Sequence, residues 1–135
     1  MSSLYSNPIY GETNPSPEKI QQSSVKRFGS IIGLKGEMEK YYRELHANAW
    51  TAVLDRLRRS NISNFSIYIT QIEDKKYLFS YFEYSGQNLD QDMKAVADDP
   101  HTQRWWKETD PCQIELPSKK KGDHWSQMEM VFLME

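Results

Sequence analysis

The stretch Tyr77-Leu78-Phe79-Ser80-Tyr81-Phe82-Glu83-Tyr84 decides how this chain folds. Successive side chains of a strand point to opposite faces, so Tyr77, Phe79 and Tyr81 share one face while Leu78, Phe82 and Tyr84 share the other. Both faces are largely apolar or aromatic, and each needs a cover. Just upstream, the turn Glu73-Asp74-Lys75-Lys76 makes a hairpin with a second run rich in strand-forming residues, Ile62 to about Thr70. Working outward, Val25 to Leu34 reads as the first strand and Gly36 to about Arg59 as the first helix. After Ser85-Gly86 come two shorter helices, near Leu89–Ala97 and, past Pro100, His101–Glu108. A polar loop with Pro111, Pro117 and Gly122 precedes a last strand, Gln127 to Met134. The order βαββαβ is the split, ferredoxin-like α+β arrangement with an antiparallel sheet. Its helices can cover only one sheet face, so the other calls for a second sheet, most simply that of an identical subunit. The expectation is a homodimer of facing sheets, a dimeric α+β barrel.

Residues 1–24 hold Pro8, Pro15 and Pro17 among Ser, Asn and Gln, with few aliphatics. Such a segment buries too little apolar surface to offset its ordering entropy. It reads as a flexible tail, with Tyr5, Ile9 and Tyr10 able to dock on a neighbouring surface, ahead of one domain over residues 25–135. A net charge of −2 makes no electrostatic case for nucleic acid or an anionic membrane. Cys112 is the sole cysteine, and the three histidines are scattered, so neither an intrachain disulfide nor a metal-ligand spacing is present. No metal and no cofactor are expected. There is no apolar run of membrane-spanning length and no basic-then-hydrophobic leader, so the expected setting is cytoplasmic.

Two features point to a site. Trp105 and Trp106 are adjacent in Gln103-Arg104-Trp105-Trp106-Lys107. Helical neighbours point about 100° apart, so one indole can join the core while the other lines a cavity or interface. Flat indole faces suit the C–H faces of sugars and other planar ligands. In the first helix, Tyr42, His46 and Trp50 recur at i, i+4 and i+8, one drifting row beside a core face marked by Met38, Leu45, Ala49 and Val53. A histidine beside a phenol can exchange protons near neutral pH. His101 beside the proline break and His124 in the polar loop read as non-catalytic, Tyr68 as sheet packing and Glu83 as a strand-edge charge.

The series Tyr42-x-x-x-His46-x-x-x-Trp50, Asn64-Phe65-Ser66-Ile67-Tyr68, Arg104-Trp105-Trp106 and Met128-Glu129-Met130-Val131-Phe132-Leu133 resembles the L-rhamnose mutarotase family over roughly residues 26–134. The resemblance implies a small dimeric α+β isomerase that interconverts the α and β anomers of L-rhamnopyranose or a closely related 6-deoxy sugar. It implies His46 as the proton-donating catalytic residue and a monosaccharide as the partner. Tyr42, Phe65, Trp105 and Trp106 are then the substrate-contacting side chains. Phe65 stands where the family usually carries tyrosine, which keeps open a member that binds sugar without turning it over. A monooxygenase-like domain of the same dimeric build is a further alternative, since fold does not fix function.

Overall fold

The structure is a computed structural model and describes residues 6–135. In chain order its elements are α1 (Pro17–Gln22), β1 (Lys26–Leu34), α2 (Glu39–Ala47), α3 (Thr51–Arg59), β2 (Ile62–Ile72), β3 (Lys75–Tyr84), α4 (Leu89–Asp98), α5 (Pro100–Thr109), β4 (Gln113–Ile114) and β5 (Ser126–Met128). Short 3-10 turns at Gly36–Met38 and Asp110–Cys112 lead into α2 and β4. Of the expected tail, residues 1–5 and with them Tyr5 lie outside the described residues. The rest includes α1, whose N-cap Ser16 and first-turn Pro17 are good helix starters. Ile9 and Tyr10 are exposed.

The sheet is antiparallel, in the order β2-β3-β1-β4, with β5 also on β1. β1 pairs with β3 along its whole length, from Lys26 opposite Tyr84 to Leu34 opposite Lys76. The β2–β3 turn is only Glu73-Asp74, with Glu73 at φ 57°, tighter than the four-residue turn expected. The other edge of β1 differs more from the sequence reading. Two fragments share it: β5 opposite Gly29–Ile31 and β4 opposite Gly33–Leu34. The last strand therefore stops at Met128 instead of Met134. The chain then leaves the sheet, and the Leu133 amide donates to the Thr13 carbonyl at 2.7 Å. β4, placed in a loop by the sequence, is a strand through register with β1 alone; its Pro-flanked residues carry little strand propensity of their own.

The first helix is also corrected. Gly36 to Arg59 is not continuous: Asn48 (φ −138°, ψ 68°) and Trp50 (φ −67°, ψ 131°) leave helical geometry and separate α2 from α3. The Trp50 carbonyl instead opens α3 by accepting from the Val53 and Leu54 amides. Tyr42 and His46 stay on one helix face, but Trp50 is no longer on their row.

The helix-facing side of the sheet holds the core: Ile32, Leu34, Leu78, Tyr42 of α2 and Cys112, with Met38, Ile67, Ile69 and Trp125 around them. Tyr84 anchors the far end, donating to Asp92 of α4 at 2.5 Å and accepting from the Asn88 amide at 3.1 Å. The opposite face, reached by Gly29, Gly33, Phe79 and their cross-strand neighbours, exposes Tyr68, Ile72, Ile114 and Met128.

β4 lies so close to β1 that a Cβ on Gly33 would sit 3.0 Å from both the Cβ and the carbonyl oxygen of Ile114. Gly33→Ala should therefore push β4 outward and cost about 1–3 kcal/mol, as for other overpacked positions. Urea unfolding followed by circular dichroism checks this; an unchanged midpoint would contradict it.

Candidate functional site

The site starts from one turn of α2. Tyr42 and His46 are four residues apart, hence stacked one above the other. Their ring centroids are 4.0 Å apart with planes at 23°. His46 Nδ1 lies 2.8 Å from the Tyr42 carbonyl oxygen. A carbonyl can only accept, so Nδ1 carries the hydrogen and donates it, leaving Nε2 as the uncommitted nitrogen. Burial lowers the His46 pKa below its ordinary 6.5, outweighing the opposing help of that backbone bond. Tyr42 is buried, and desolvation pushes its phenol up to about 12, against the opposing effect of the Gln113 hydrogen bond. At neutral pH the turn thus presents a neutral imidazole beside a protonated phenol.

The opposite wall comes from α5. Asp99 caps this helix, accepting from both the amide and the hydroxyl of Thr102 at 2.8 Å, and Pro100 supplies the first residue. Thr102, Trp105 and Thr109 form its buried side. Trp105 meets His46 edge-on at 5.1 Å and 63°, and meets Trp50 at 5.1 Å and 74°. Trp50 reaches it as the residue that caps α3, just past the break after α2. Trp106, the next residue round α5, is 39% exposed.

Phe65 lies at an irregularity of β2, where pairing with β3 shifts between Ser63 and Ser66 and Asn64 has φ 49°. Its ring is 5.5 Å from Phe82, which stacks on Phe28 at 5.0 Å. Phe28 and Phe82 lie on the helix-facing side of the sheet, as alternation from Ile32 and Leu78 requires. The structure therefore gathers Tyr42, His46 and Trp105 into one cluster and adds Trp50. Phe65 and Trp106 make no ring contact with that cluster. Glu83 accepts from Asn64 at 2.9 Å and from Tyr81 at 2.8 Å, bracing the sheet. His101 pairs with Arg104 on the exposed side of α5. His124, read from the sequence as a bystander, reaches Tyr42 through Gln113. No local signal marks Gln113, because its contacts are all distant in sequence. A cavity of about 1130 Å³ lies away from His46, between residues 6–14 and Ile31, Ser126 and Met128.

A family model for L-rhamnose mutarotase matches residues 27–134. The L-rhamnose mutarotase of Bacillus subtilis (strain 168) is 26% identical over 87 residues, covering 64% of this chain and 79% of its own. That of Jannaschia sp. (strain CCS1) is 32% identical over 65 residues, 48% of this chain and 58% of its own. That of Listeria monocytogenes serovar 1/2a is 24% identical over 94 residues, 70% of this chain and 86% of its own. A crystal structure of an L-rhamnose mutarotase from Formosa agariphila matches with a TM-score of 0.61 at 22% identity, covering 82% of this chain and 99% of that one. That likeness is one of fold.

The lowered His46 pKa makes a stability prediction. The unfolded chain takes up the proton at about pH 6.5, whereas the folded chain resists it until lower pH. The contribution is complete above the unfolded pKa and is lost as pH falls from there towards the folded one. Denaturant titrations at several pH values should show stability dropping across this window, with a shallower slope in His46→Gln. Equal slopes would mean that burial does not hold the ring neutral.

Proposed function

Because the chain belongs to the L-rhamnose mutarotase family, its reaction is the interconversion of the α and β anomers of L-rhamnopyranose, and we propose that His46 moves the proton. Ring opening transfers one hydrogen from the anomeric hydroxyl to the ring oxygen. The O–H electrons form the carbonyl, the C1–O5 bond breaks, and its electron pair stays on the ring oxygen. Neutral His46 accepts the anomeric proton at Nε2, the nitrogen left uncommitted by the Tyr42 carbonyl. The resulting imidazolium then donates to the ring oxygen. Rotation about C1–C2 and closure on the other carbonyl face complete the exchange, with proton transfers reversed.

Tyr42 stays protonated throughout, since its pKa of about 12 leaves it a poor base and a good donor. Trp105 and Trp50 form the apolar wall that keeps water from the imidazole. Phe65 and Trp106 are the remaining sugar contacts in this proposal, one on the sheet and one on α5. The observation that carries it is the stacked Tyr42–His46 pair with one ring nitrogen committed and the other available.

Saturation-transfer NMR on equilibrated L-rhamnose tests it. The protein should speed anomer exchange, and His46→Ala should remove about 10²–10⁴-fold, the usual worth of a positioned acid–base group. In the wild type, kcat/KM should fall as pH drops through the lowered His46 pKa. Calorimetric binding of L-rhamnose without faster exchange would favour a sugar-binding member instead.

We also propose that the working form is a homodimer joined through the open sheet face, and that it resides in the cytoplasm. Tyr68, Ile72, Ile114 and Met128 expose apolar surface on that face, and a self-complementary sheet contact would bury it. Sedimentation should report a dimer for the wild type and a monomer for Tyr68→Asp; a monomeric wild type at micromolar concentration would refute the pairing.

A further inference from the structure

Gln113 is buried where β4 meets α2, with a side chain at each end of its amide. Its Nε2 donates to Tyr42 Oη at 3.3 Å, and its Oε1 accepts from His124 Nε2 at 2.7 Å. Turned over, the same amide would present oxygen to Tyr42 and nitrogen to His124, so something must choose between the two orientations. The observed orientation ties that choice to His124, whose Nε2 lies 2.7 Å from Gln113 Oε1 and 3.5 Å from Asp110 Oδ1, with Nδ1 3.6 Å from Glu115 Oε2. An amide oxygen can only accept, so His124 Nε2 carries the hydrogen here, and a hydrogen there holds the amide with its nitrogen towards Tyr42.

The consequence reaches the site. A phenol oxygen that already accepts from Gln113 keeps its own hydrogen for another partner, and no described residue accepts it. We propose that His124, acting through the Gln113 amide, is a positioning residue that orients the Tyr42 hydroxyl as a donor to the sugar. The proposal rests on the reading above that Tyr42 touches the sugar. A donor there suits the ring oxygen, which gains electron density as the C1–O5 bond breaks. The partly exposed His124 acts on the reacting sugar only through two buried side chains.

Two measurements test it. Long-range ¹H–¹⁵N NMR of the sugar-free protein should show His124 carrying hydrogen on Nε2. A ring protonated on Nδ1 alone would overturn the proposal whatever the activity. In anomer exchange, His124→Ala should raise KM for L-rhamnose about fivefold, the worth of one hydrogen bond. His124→Gln, whose amide can still donate to Gln113, should restore most of the loss. In a Tyr42→Phe background, His124→Ala should change nothing further. The same fivefold penalty in that background would show that His124 merely holds its loop, and would overturn the proposal. A wild type that fails to speed exchange would instead strike the mutarotase reading, leaving the NMR result to judge the relay.

Discussion

Hydrogen bonding along both edges of β1 is the constraint on which the rest of this molecule depends. A nine-residue strand in the middle of a sheet must satisfy its backbone groups on two sides. β3 serves one side completely, whereas the other is divided between β5 and β4. Because that edge is filled in two pieces, residues 115–125 loop out and return. The detour sets Gln113 against Tyr42 and returns His124 to Gln113. Backbone pairing at the sheet edge and polarity at the candidate site are thus one arrangement, with Gly33 providing the close approach.

At the centre of the site, desolvation and hydrogen bonding compete over a single imidazole. The Tyr42 carbonyl stabilises the Nδ1 hydrogen, while burial beside Trp105 penalises the cation more strongly. Burial wins, and it raises the phenol beside it for the same reason. The outcome is a pair of neutral groups in aromatic surroundings. Such a site suits a reaction that moves one proton between two oxygens of a neutral sugar, where a permanent charge would have to be solvated or paired.

The two faces of the sheet divide the remaining work. One carries Ile32, Leu78 and the Phe28–Phe82–Phe65 series towards the helices. The other presents Tyr68, Ile72, Ile114 and Met128 to the outside. Alternation from Ile69 and Ile67 carries Phe65 onto the face of Phe82, and the β2 irregularity between Ser63 and Ser66 shifts the phase of the residues before it.

Much of this was legible in the sequence because it depends on short-range periodicity. Alternation in Tyr77–Tyr84 marks a two-faced strand, and four-residue spacing stacks His46 on Tyr42. The adjacency of Trp105 and Trp106 obliges one indole inward and the other outward, since a helix turns about 100° per residue. The helix break at Asn48–Trp50 was not legible, because neither proline nor glycine marks it and the reward, Trp50 against Trp105, lies far along the chain. Nor were the early end of the last strand, the two-residue β4 or the link from His124 to Tyr42. Each depends on partners that only folding brings together. Residue types and their spacing determined the element order and the candidate chemistry; tertiary packing alone decided which nitrogen, which hydroxyl and which amide face one another, because hydrogen-bond direction is set by neighbours in space.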